Sequence, residues 1–184
     1  MLAYVFWHRP YPQTERQRYE DAIVRFQADL AAHPPPGLIA ASSFRIDPVP
    51  WLDDERGYED WYLIEGSWAM DPLNAFAIAG AVKASHDHAA AQMAQGQGGL
   101  YAHAGGEVSA LARSTVYWLT RPRGIEWQPP LEAVRARSPQ ATIWRRQMVL
   151  GPATEFAVAV PHDSEIEVPQ GWQARSVKRV RLPA

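Results

Sequence analysis

Two stretches of the sequence decide the fold: AYVFWHRP at residues 3–10 and STVYWLTRP at residues 114–122. Both are rich in aromatic and β-branched residues, and both end in an Arg-Pro pair, which predicts a β-strand that stops there. Each stretch is followed by the same order of elements, namely helix, strand and strand. Such similarity indicates an internal repeat. We therefore predict two related halves, residues 1–110 and a shorter half at 111–184, packed as one compact unit.

The first half continues from its opening strand with patterns typical of a helix and two strands. TERQ at residues 14–17 is typical of a capping box, and it is followed at helical spacing by a face made of Tyr19, Ile23, Phe26 and Leu30. GLIAASSFRI at 37–46 and WYLIEGSWAM at 61–70 predict the two strands, and WLDDERGYED at 51–60 between them is typical of a loop. A second helix is expected after Asp71, which is placed to cap it, with a proline at the next position.

The second half has one helix pattern and three strand patterns after its opening strand. PPLEAVRARSP at 129–139 predicts the helix. ATIWRRQMVL at 141–150, EFAVAVP at 155–161 and WQARSVKRVRLP at 172–183 predict the strands. The fold class is therefore α+β: two fused ferredoxin-like β-α-β-β units, with antiparallel sheets and helices on one face.

This element order resembles that of the dimeric α+β barrel (ferredoxin-like) superfamily in its tandem-repeat form. The resemblance implies sheets that face each other around a barrel, with a pocket between sheet and helices. Known members include small-molecule monooxygenases, aldoxime- and lactone-processing enzymes and haem-dependent relatives of chlorite dismutase. A shared fold does not by itself assign a function.

Composition excludes several classes of protein. The chain has 18 basic and 20 acidic residues, a net charge of −2, so it lacks the strong positive field that nucleic-acid binding requires. It has no cysteine, which excludes disulfides, thiolate nucleophiles and iron–sulfur clusters. No run approaches the roughly 18 consecutive apolar residues of a membrane span. We expect a cytoplasmic protein that binds neither nucleic acid nor membrane.

The aromatic content points to a pocket or to self-association. Eight Trp and seven Tyr residues suit an aromatic-lined cavity, a large subunit interface, or both. We therefore expect a small-molecule ligand and a homodimer.

The segment SHDHAAAQMAQGQGGLYAHAGGE at residues 85–107 raises the question of a metal or phosphate site. Its first part is typical of a helix, on which His86 and His88 would lie about 200° apart and could not share an ion. The glycines follow this predicted helix instead of opening one, which is the wrong order for a phosphate-binding loop. They are interpreted as a helix C-terminus, and no metal is expected.

Haem and other cofactors are not expected either. The haem-binding relatives carry their axial histidine in the second half, where this chain has only His162, in a turn-like sequence. We therefore predict no cofactor.

The candidate site residues are histidines, for proton transfer, and neighbouring polar or aromatic side chains. Neutral imidazole suits general acid–base catalysis, and His8, His86 and His103 are the candidates. Alternation along the first strand places His8 on the same face as Tyr4 and Phe6. The predicted substrate-binding residues, which would orient a polar group or enclose an apolar body, are Arg45, Tyr62, Trp68 and Tyr101. Arg45 has a purely structural alternative, an ion pair with Glu65 across neighbouring strands.

Two functions of different class remain open, so the sequence does not decide whether the protein is an enzyme. In the first, it is a cofactor-independent enzyme, monooxygenase- or lyase-like, that uses histidine acid–base chemistry in an aromatic-lined pocket. In the second, it is a non-catalytic ligand-binding or self-associating structural protein. The positions of four tryptophans discriminate between the two functions: Trp7, Trp51, Trp61 and Trp68. If their rings enclose a cavity that also contains polar groups, the enzyme is favoured. If the rings pack solidly between sheet and helix, the alternative is favoured.

Overall fold

The computed structural model describes residues 1–108 and 113–183, in which eight strands and four α-helices are found. The strands are β1 (Leu2–Pro10), β2 (Leu38–Ile46), β3 (Gly57–Ile64), β4 (Met93–Gly105), β5 (Arg113–Thr120), β6 (Thr142–Arg146), β7 (Phe156–Pro161) and β8 (Gln173–Arg181). The helices are α1 (Arg16–Ala32), α2 (Met70–Ala79), α3 (Lys83–Ala90) and α4 (Gln128–Arg137), and short 3-10 turns occupy Pro50–Leu52 and Ser67–Ala69.

The eight strands close into one antiparallel barrel in the order β1-β3-β2-β8-β5-β7-β6-β4. The first four strands are ordered β4-β1-β3-β2, and the last four are ordered β8-β5-β7-β6. The two groups join where β2 pairs with β8 and where β4 pairs with β6. The α+β fold class and the antiparallel sheets are therefore confirmed, and a single chain closes the whole barrel. The predicted boundary at residues 110 and 111 lies outside the described residues.

Strand alternation divides the side chains between the barrel interior and the helix-covered outer face. On β1, Val5 and Trp7 point into the barrel, whose core is dominated by aromatic and small residues. Tyr4 and Phe6 point outward and pack with residues of α1 and α2. A smaller core lies beneath α4 on the outside of the second half.

The third strand begins earlier and ends sooner than the sequence pattern predicts. It runs from Gly57 to Ile64, whereas residues 65–69 leave the strand and lead into α2 through a 3-10 turn. The prediction failed because Glu59 and Asp60 read as loop residues, although both are almost completely buried. Buried carboxylates in a strand are uncommon unless other groups pair with them.

The glycine segment forms a strand, so its interpretation as a helix C-terminus is wrong. Helix α3 ends at Ala90, and Gly96 and Gly98 lie inside β4, paired with β1. A Cβ atom at Gly96 would lie 2.5 Å from the Phe6 ring, and one at Gly98 would lie 2.6 Å from the Tyr4 hydroxyl. These glycines are needed because the aromatic rings of β1 lie directly over the backbone of β4.

The start of α1 also differs from the prediction. The helix begins at Arg16 with Glu15 as its N-cap, which makes no side-chain capping bond, so the predicted capping box at Thr14 is wrong. The predicted buried face of this helix, which includes Tyr19 and Leu30, is confirmed. Asp71 lies in the first turn of α2, one residue past its start at Met70.

Among the described residues, no helix combines the length and apolar character needed to cross a membrane.

Candidate active site

A cavity of about 270 Å³ lies between the outer face of the first-half sheet and helices α1, α2 and α3. We call it the helix-side cavity. Most of its wall is apolar, as is usual for small-molecule sites. The side chains that bring polar atoms to it are Tyr4, His8, Tyr19, Asp60, Tyr62, Asn74 and His86.

His8 lies near the end of β1 and is almost completely buried. Its Nδ1 is 2.6 Å from the hydroxyl of Tyr19, on α1. Within residues 1–108 and 113–183 that hydroxyl has no other hydrogen-bond acceptor, so we assign it as the donor to Nδ1. Neutral His8 then carries its proton on Nε2, the nitrogen that faces Asp60.

Asp60, on the neighbouring strand β3, is the second buried polar group of the cavity. Its Oδ2 accepts a hydrogen bond from the Tyr62 hydroxyl at 3.0 Å and lies 3.3 Å from Nε2 of His8. The His8 contact is not aligned as a hydrogen bond. Nε2 of His8 and Oδ1 of Asp60 are therefore both buried and without a hydrogen-bond partner among the described residues.

Two such atoms side by side are unusual, because nearly all buried polar groups in proteins are paired. Leaving one buried and unsatisfied costs about 1–3 kcal/mol. A ligand that accepts a hydrogen bond from Nε2 and donates one to Oδ1 would satisfy both at once. A hydroxyl group meets both requirements.

The phenols around Asp60 remain neutral and serve as hydrogen-bond donors. Burial, reinforced by the negative charge of Asp60, raises the pKa of Tyr19, Tyr62 and Tyr4 above that of a free phenol. Gln27 of α1 adds a hydrogen bond to the Tyr62 hydroxyl at 3.4 Å. Of the groups around the cavity, the Asp60 carboxylate is therefore the natural proton acceptor.

Aromatic rings fix the orientation of the His8 imidazole. It is stacked against Tyr58 with ring centroids 5.6 Å apart and against Phe6 at 5.4 Å. The ring of Tyr19 meets it edge-on at 5.7 Å. With its neighbours packed this way, His8 presents Nε2 in one direction, as a preorganised site requires.

The structure brings three of the seven predicted site residues to this cavity: His8, Tyr62 and His86. His86, on α3, is about one-third exposed, and its ring meets that of Phe26 at 5.6 Å. Its Nδ1 lies 3.3 Å from a carboxylate oxygen of Asp87. His86 therefore lies at the rim of the cavity, away from the buried His8–Asp60 pair.

Arg45 is not in the cavity. Its guanidinium makes a two-pronged interaction with Glu20 of α1, at 2.9 and 2.6 Å. Arg45 therefore forms a structural ion pair, which was the alternative expectation, but the predicted partner was wrong: the partner is Glu20 and not Glu65. Glu65 leaves β3, so it does not lie across from Arg45.

The other three predicted residues, His103, Tyr101 and Trp68, also lie elsewhere. Tyr101 is fully buried inside the barrel and donates a hydrogen bond to the carbonyl of Thr154 at 3.3 Å. His103, on the same strand, contacts the Trp144 ring, and its Nε2 lies 2.9 Å from the carbonyl of Gly106. Trp68 is 55% exposed, because the segment predicted to continue β3 turns into a 3-10 helix instead.

The sequence analysis missed Asp60 and Tyr19 as site residues. Asp60 lies in a stretch that resembled a loop, and Tyr19 was interpreted only as part of the apolar face of α1. A signal for Asp60 was present: it is two residues before Tyr62, and residues at that spacing share a face of a strand. Within the part of the chain that the structure describes, no group of three or more His, Asp or Glu side chains is placed to hold a metal ion.

Comparison with known proteins identifies the fold. No protein-family model matches the chain, and no curated protein matches its sequence. Among solved structures, a "putative monooxygenase from Lactobacillus acidophilus NCFM" is similar over 99% of this chain and 94% of its own, with a TM-score of 0.58 and 7% identity. An "anthrone oxidase-like protein" is similar over 97% of this chain and 91% of its own, with a TM-score of 0.51 and 11% identity.

A structure described as a "putative chlorite dismutase" has a TM-score of only 0.49, at 10% identity, and covers 98% of this chain and 95% of its own. Identities this low establish the fold alone. The chain therefore shares its fold, an antiparallel barrel flanked by helices, with the first two of these solved structures.

Proposed function

We propose that this protein is a small-molecule enzyme that performs acid–base chemistry in the helix-side cavity without a metal, haem or other cofactor. The observation that carries the proposal is the buried pair of unpartnered atoms, Nε2 of His8 and Oδ1 of Asp60, at the wall of a mainly apolar cavity. Buried groups left open towards a cavity are expected where a ligand completes them.

The mechanism follows from the positions of the two groups. Nε2–H of His8 donates a hydrogen bond to a ligand oxygen, and the Asp60 carboxylate accepts a proton from the same hydroxyl or from a C–H next to a carbonyl. Negative charge then develops on the ligand oxygen, where His8 stabilises it as a fixed donor. Tyr62 holds Asp60 in place through its hydrogen bond, and Tyr19 does the same for His8. Tyr19 and Tyr62 are therefore positioning residues.

The substrate class follows from the cavity. A volume of about 270 Å³ is slightly below the roughly 300–1,000 Å³ typical of ligand sites, and the walls are largely aromatic and aliphatic. These features favour a small aromatic phenol or ketone. Proton removal makes such a molecule electron-rich, so that it can react with dioxygen, as in a monooxygenase-like reaction, or expel a leaving group, as in a lyase-like one.

Anthrone is a suitable test substrate, since one of the structures with this fold is described as anthrone oxidase-like. One anthrone and one dioxygen give one anthraquinone and one water. We expect the wild-type protein to accelerate quinone formation, measured by absorbance together with oxygen uptake. His8→Gln and Asp60→Asn should abolish the acceleration, and His33→Gln, a change on the exposed end of α1, should not alter it.

A binding experiment tests the acid–base step separately from oxygenation. We expect 2-naphthol to bind and to show the absorbance of its anion at a pH where free 2-naphthol is protonated. Asp60→Asn should remove this anion signal. If the wild-type protein neither oxidises anthrone nor binds 2-naphthol, the proposed chemistry is wrong.

A non-catalytic role is the second candidate, and the tryptophans favour it. Trp7 and Trp61 belong to the core inside the barrel, Trp51 is partly buried and packs against that core, and Trp68 lies on the surface. The aromatic surplus therefore fills the barrel, and none of these four rings lines the helix-side cavity. Binding of 2-naphthol without deprotonation, together with no oxidation of anthrone, would support this alternative.

We further propose that the two halves are fused ferredoxin-like units and that the protein forms a homodimer. The equivalent strand orders of β1–β4 and β5–β8, and the similar sequences of β1 and β5, support the first proposal. The dimer is not needed to close the barrel, because one chain already does so. Native mass spectrometry of the purified protein tests it: a single-chain mass at micromolar concentration would exclude a stable dimer.

A further inference from the structure

A second cavity, of about 310 Å³, opens on the barrel side of the same sheet. We call it the barrel-mouth cavity. Its walls include the rings of Phe44, Trp61 and Trp144, and two arginines, Arg179 and Arg181 of β8, also line it. The proposed chemistry of the helix-side cavity uses none of these residues.

Arg179 and Glu59 form an ion pair inside the barrel next to this cavity. Nη1 of Arg179 donates to Oε1 of Glu59 at 3.0 Å, and both side chains are at least 90% buried. The same carboxylate accepts hydrogen bonds from the indole N–H groups of Trp7, at 2.7 Å, and Trp61, at 2.5 Å. Glu59 is thus fully engaged by three donors.

The guanidinium of Arg179 is held in one plane. Its Nε donates to the Ser114 hydroxyl at 2.5 Å, and its carbon lies 4.2 Å from the centre of the Phe44 ring and 5.1 Å from that of Trp61. Burial lowers the pKa of Arg179, and Glu59 opposes this effect; an arginine remains charged in proteins. A buried ion pair is often no more stabilising than an apolar replacement, so this one calls for a functional explanation.

The cavity has cationic donors available for a ligand. Within residues 1–108 and 113–183, Nη2 of Arg179 donates no hydrogen bond, and Arg181 forms no ion pair with a side chain. Among the described residues that line the cavity none carries a carboxylate, and the carboxylate of Glu59, which pairs with Arg179, is already occupied. The charge at the barrel-mouth cavity is therefore positive, while the rest of its wall is mainly aromatic and aliphatic.

We propose that the barrel-mouth cavity is a second binding site, for a small aromatic monocarboxylate. The carboxylate group binds Arg179 and Arg181, because guanidinium groups match carboxylates in charge and geometry. The ring of the ligand packs against Trp61 and Trp144, whose own rings meet edge-on at 5.4 Å. This site does not depend on the chemistry proposed for the helix-side cavity.

Isothermal titration calorimetry with 4-nitrobenzoate tests the proposal, and 4-nitrobenzamide serves as a neutral probe of the same shape. We expect the wild-type protein to bind the carboxylate at least tenfold more tightly than the amide. Arg181→Gln should weaken carboxylate binding about tenfold, the effect of losing one charge-assisted hydrogen bond. Ala40→Leu, which fills the mouth without changing charge, should abolish binding. Arg18→Gln, on the exposed face of α1, is the matched control and should leave the affinity unchanged.

The location of binding is checked by NMR in the intact protein. The indole N–H signals of Trp61 and Trp144 should shift with 4-nitrobenzoate, and the ring signals of His8 should not. The proposal is overturned if 4-nitrobenzoate does not bind, if the amide binds equally well, or if Arg181→Gln and Arg18→Gln have the same affinity. Shifts at His8 in place of the two indoles would also overturn it. Arg179 is left unchanged in these variants, because its loss would leave Glu59 buried without its counter-ion.

Discussion

Glu59 and Asp60 are neighbours on β3 and both are buried, but they point to opposite faces of the sheet and have opposite surroundings. Glu59 points into the barrel, where two indoles and an arginine donate to its carboxylate. Asp60 points to the helix side, where one tyrosine donates to Oδ2 and Oδ1 has no partner among the described residues. One strand thus carries a fully paired carboxylate on one face and an incompletely paired one on the other.

This difference separates stability from function. Removing a partner from a satisfied buried network leaves a charge without compensation, so variants at Glu59 or Arg179 should lose stability. An unsatisfied group already weakens the fold, so its replacement should cost little and can even stabilise. A substitution that lowers stability therefore indicates a structural carboxylate. A substitution that leaves stability unchanged or raises it indicates a carboxylate that serves catalysis.

The largest effect is expected from Arg179→Met, which leaves Glu59 buried and without its counter-ion. We expect the free energy of unfolding, measured with urea, to fall by about 3–5 kcal/mol. The double variant Glu59→Gln/Arg179→Met removes both charges and should recover most of that loss. A single variant within about 1 kcal/mol of wild type would show that the pair is not an essential part of the barrel.

A smaller loss is expected from Gly98→Ala, on the helix-facing side of β4. The added Cβ would lie 2.6 Å from the Tyr4 hydroxyl, so the tyrosine ring must move. Such overpacking costs about 1–3 kcal/mol, which urea unfolding measures. If the clash is the cause, the cost should nearly disappear when Gly98→Ala is introduced into a Tyr4→Ala background. An equal cost in both backgrounds would assign it to the backbone of β4 instead.

Asp60→Asn should have the opposite effect on stability from changes at the Glu59 network. The amide removes an incompletely paired buried charge, so we expect the free energy of unfolding to stay the same or to rise by up to about 1 kcal/mol. Oxidation of anthrone and deprotonation of 2-naphthol should nevertheless be lost. A stability loss above about 2 kcal/mol would instead make Asp60 a structural residue like Glu59.

The sequence predicted the outward face of β1 better than the strands that flank it. Alternation placed His8 beside Tyr4 and Phe6, and the helical spacing placed Tyr19 on the buried face of α1; these are local patterns that a sequence carries directly. Asp60 was missed because its burial depends on partners from other elements, His8 among them. The glycines of β4 were wrongly assigned to a helix C-terminus for the same reason. They are required by the aromatic rings of β1, and the sequence around the glycines does not indicate that requirement.

The same limit explains the four predicted site residues that lie outside the cavity. The face of a strand on which Tyr101 and His103 lie can be predicted only when the strand itself is recognised. Arg45 was placed on the correct strand, but its partner, Glu20, comes from α1, and the approach of that helix to the sheet is a tertiary feature. The sequence therefore predicted elements and faces, and failed where a side chain depends on a distant partner.

Glu20 is a third buried carboxylate in the first half, and its substitution should have the smallest effect on stability of those considered. Burial opposes its ionisation, but hydrogen bonds from Arg45, Arg16 and Tyr58 outweigh that effect and lower its pKa. The unfolded chain therefore takes up the proton first as the pH falls. The contribution of Glu20 to stability is then present above the ordinary glutamate pKa and is lost as the pH falls through the lower, folded value.

We expect the difference in unfolding free energy between wild type and Glu20→Gln to shrink across that acidic range. Its full size should be at most about 1 kcal/mol, because the guanidinium groups of Arg45 and Arg16 are partly exposed to solvent. Urea unfolding at a series of pH values measures it, with Glu15→Gln, an exposed residue at the start of the same helix, as the control. A difference that grows as the pH falls would mean that Glu20 is destabilised in the folded protein, and would place it with Asp60 and not with Glu59.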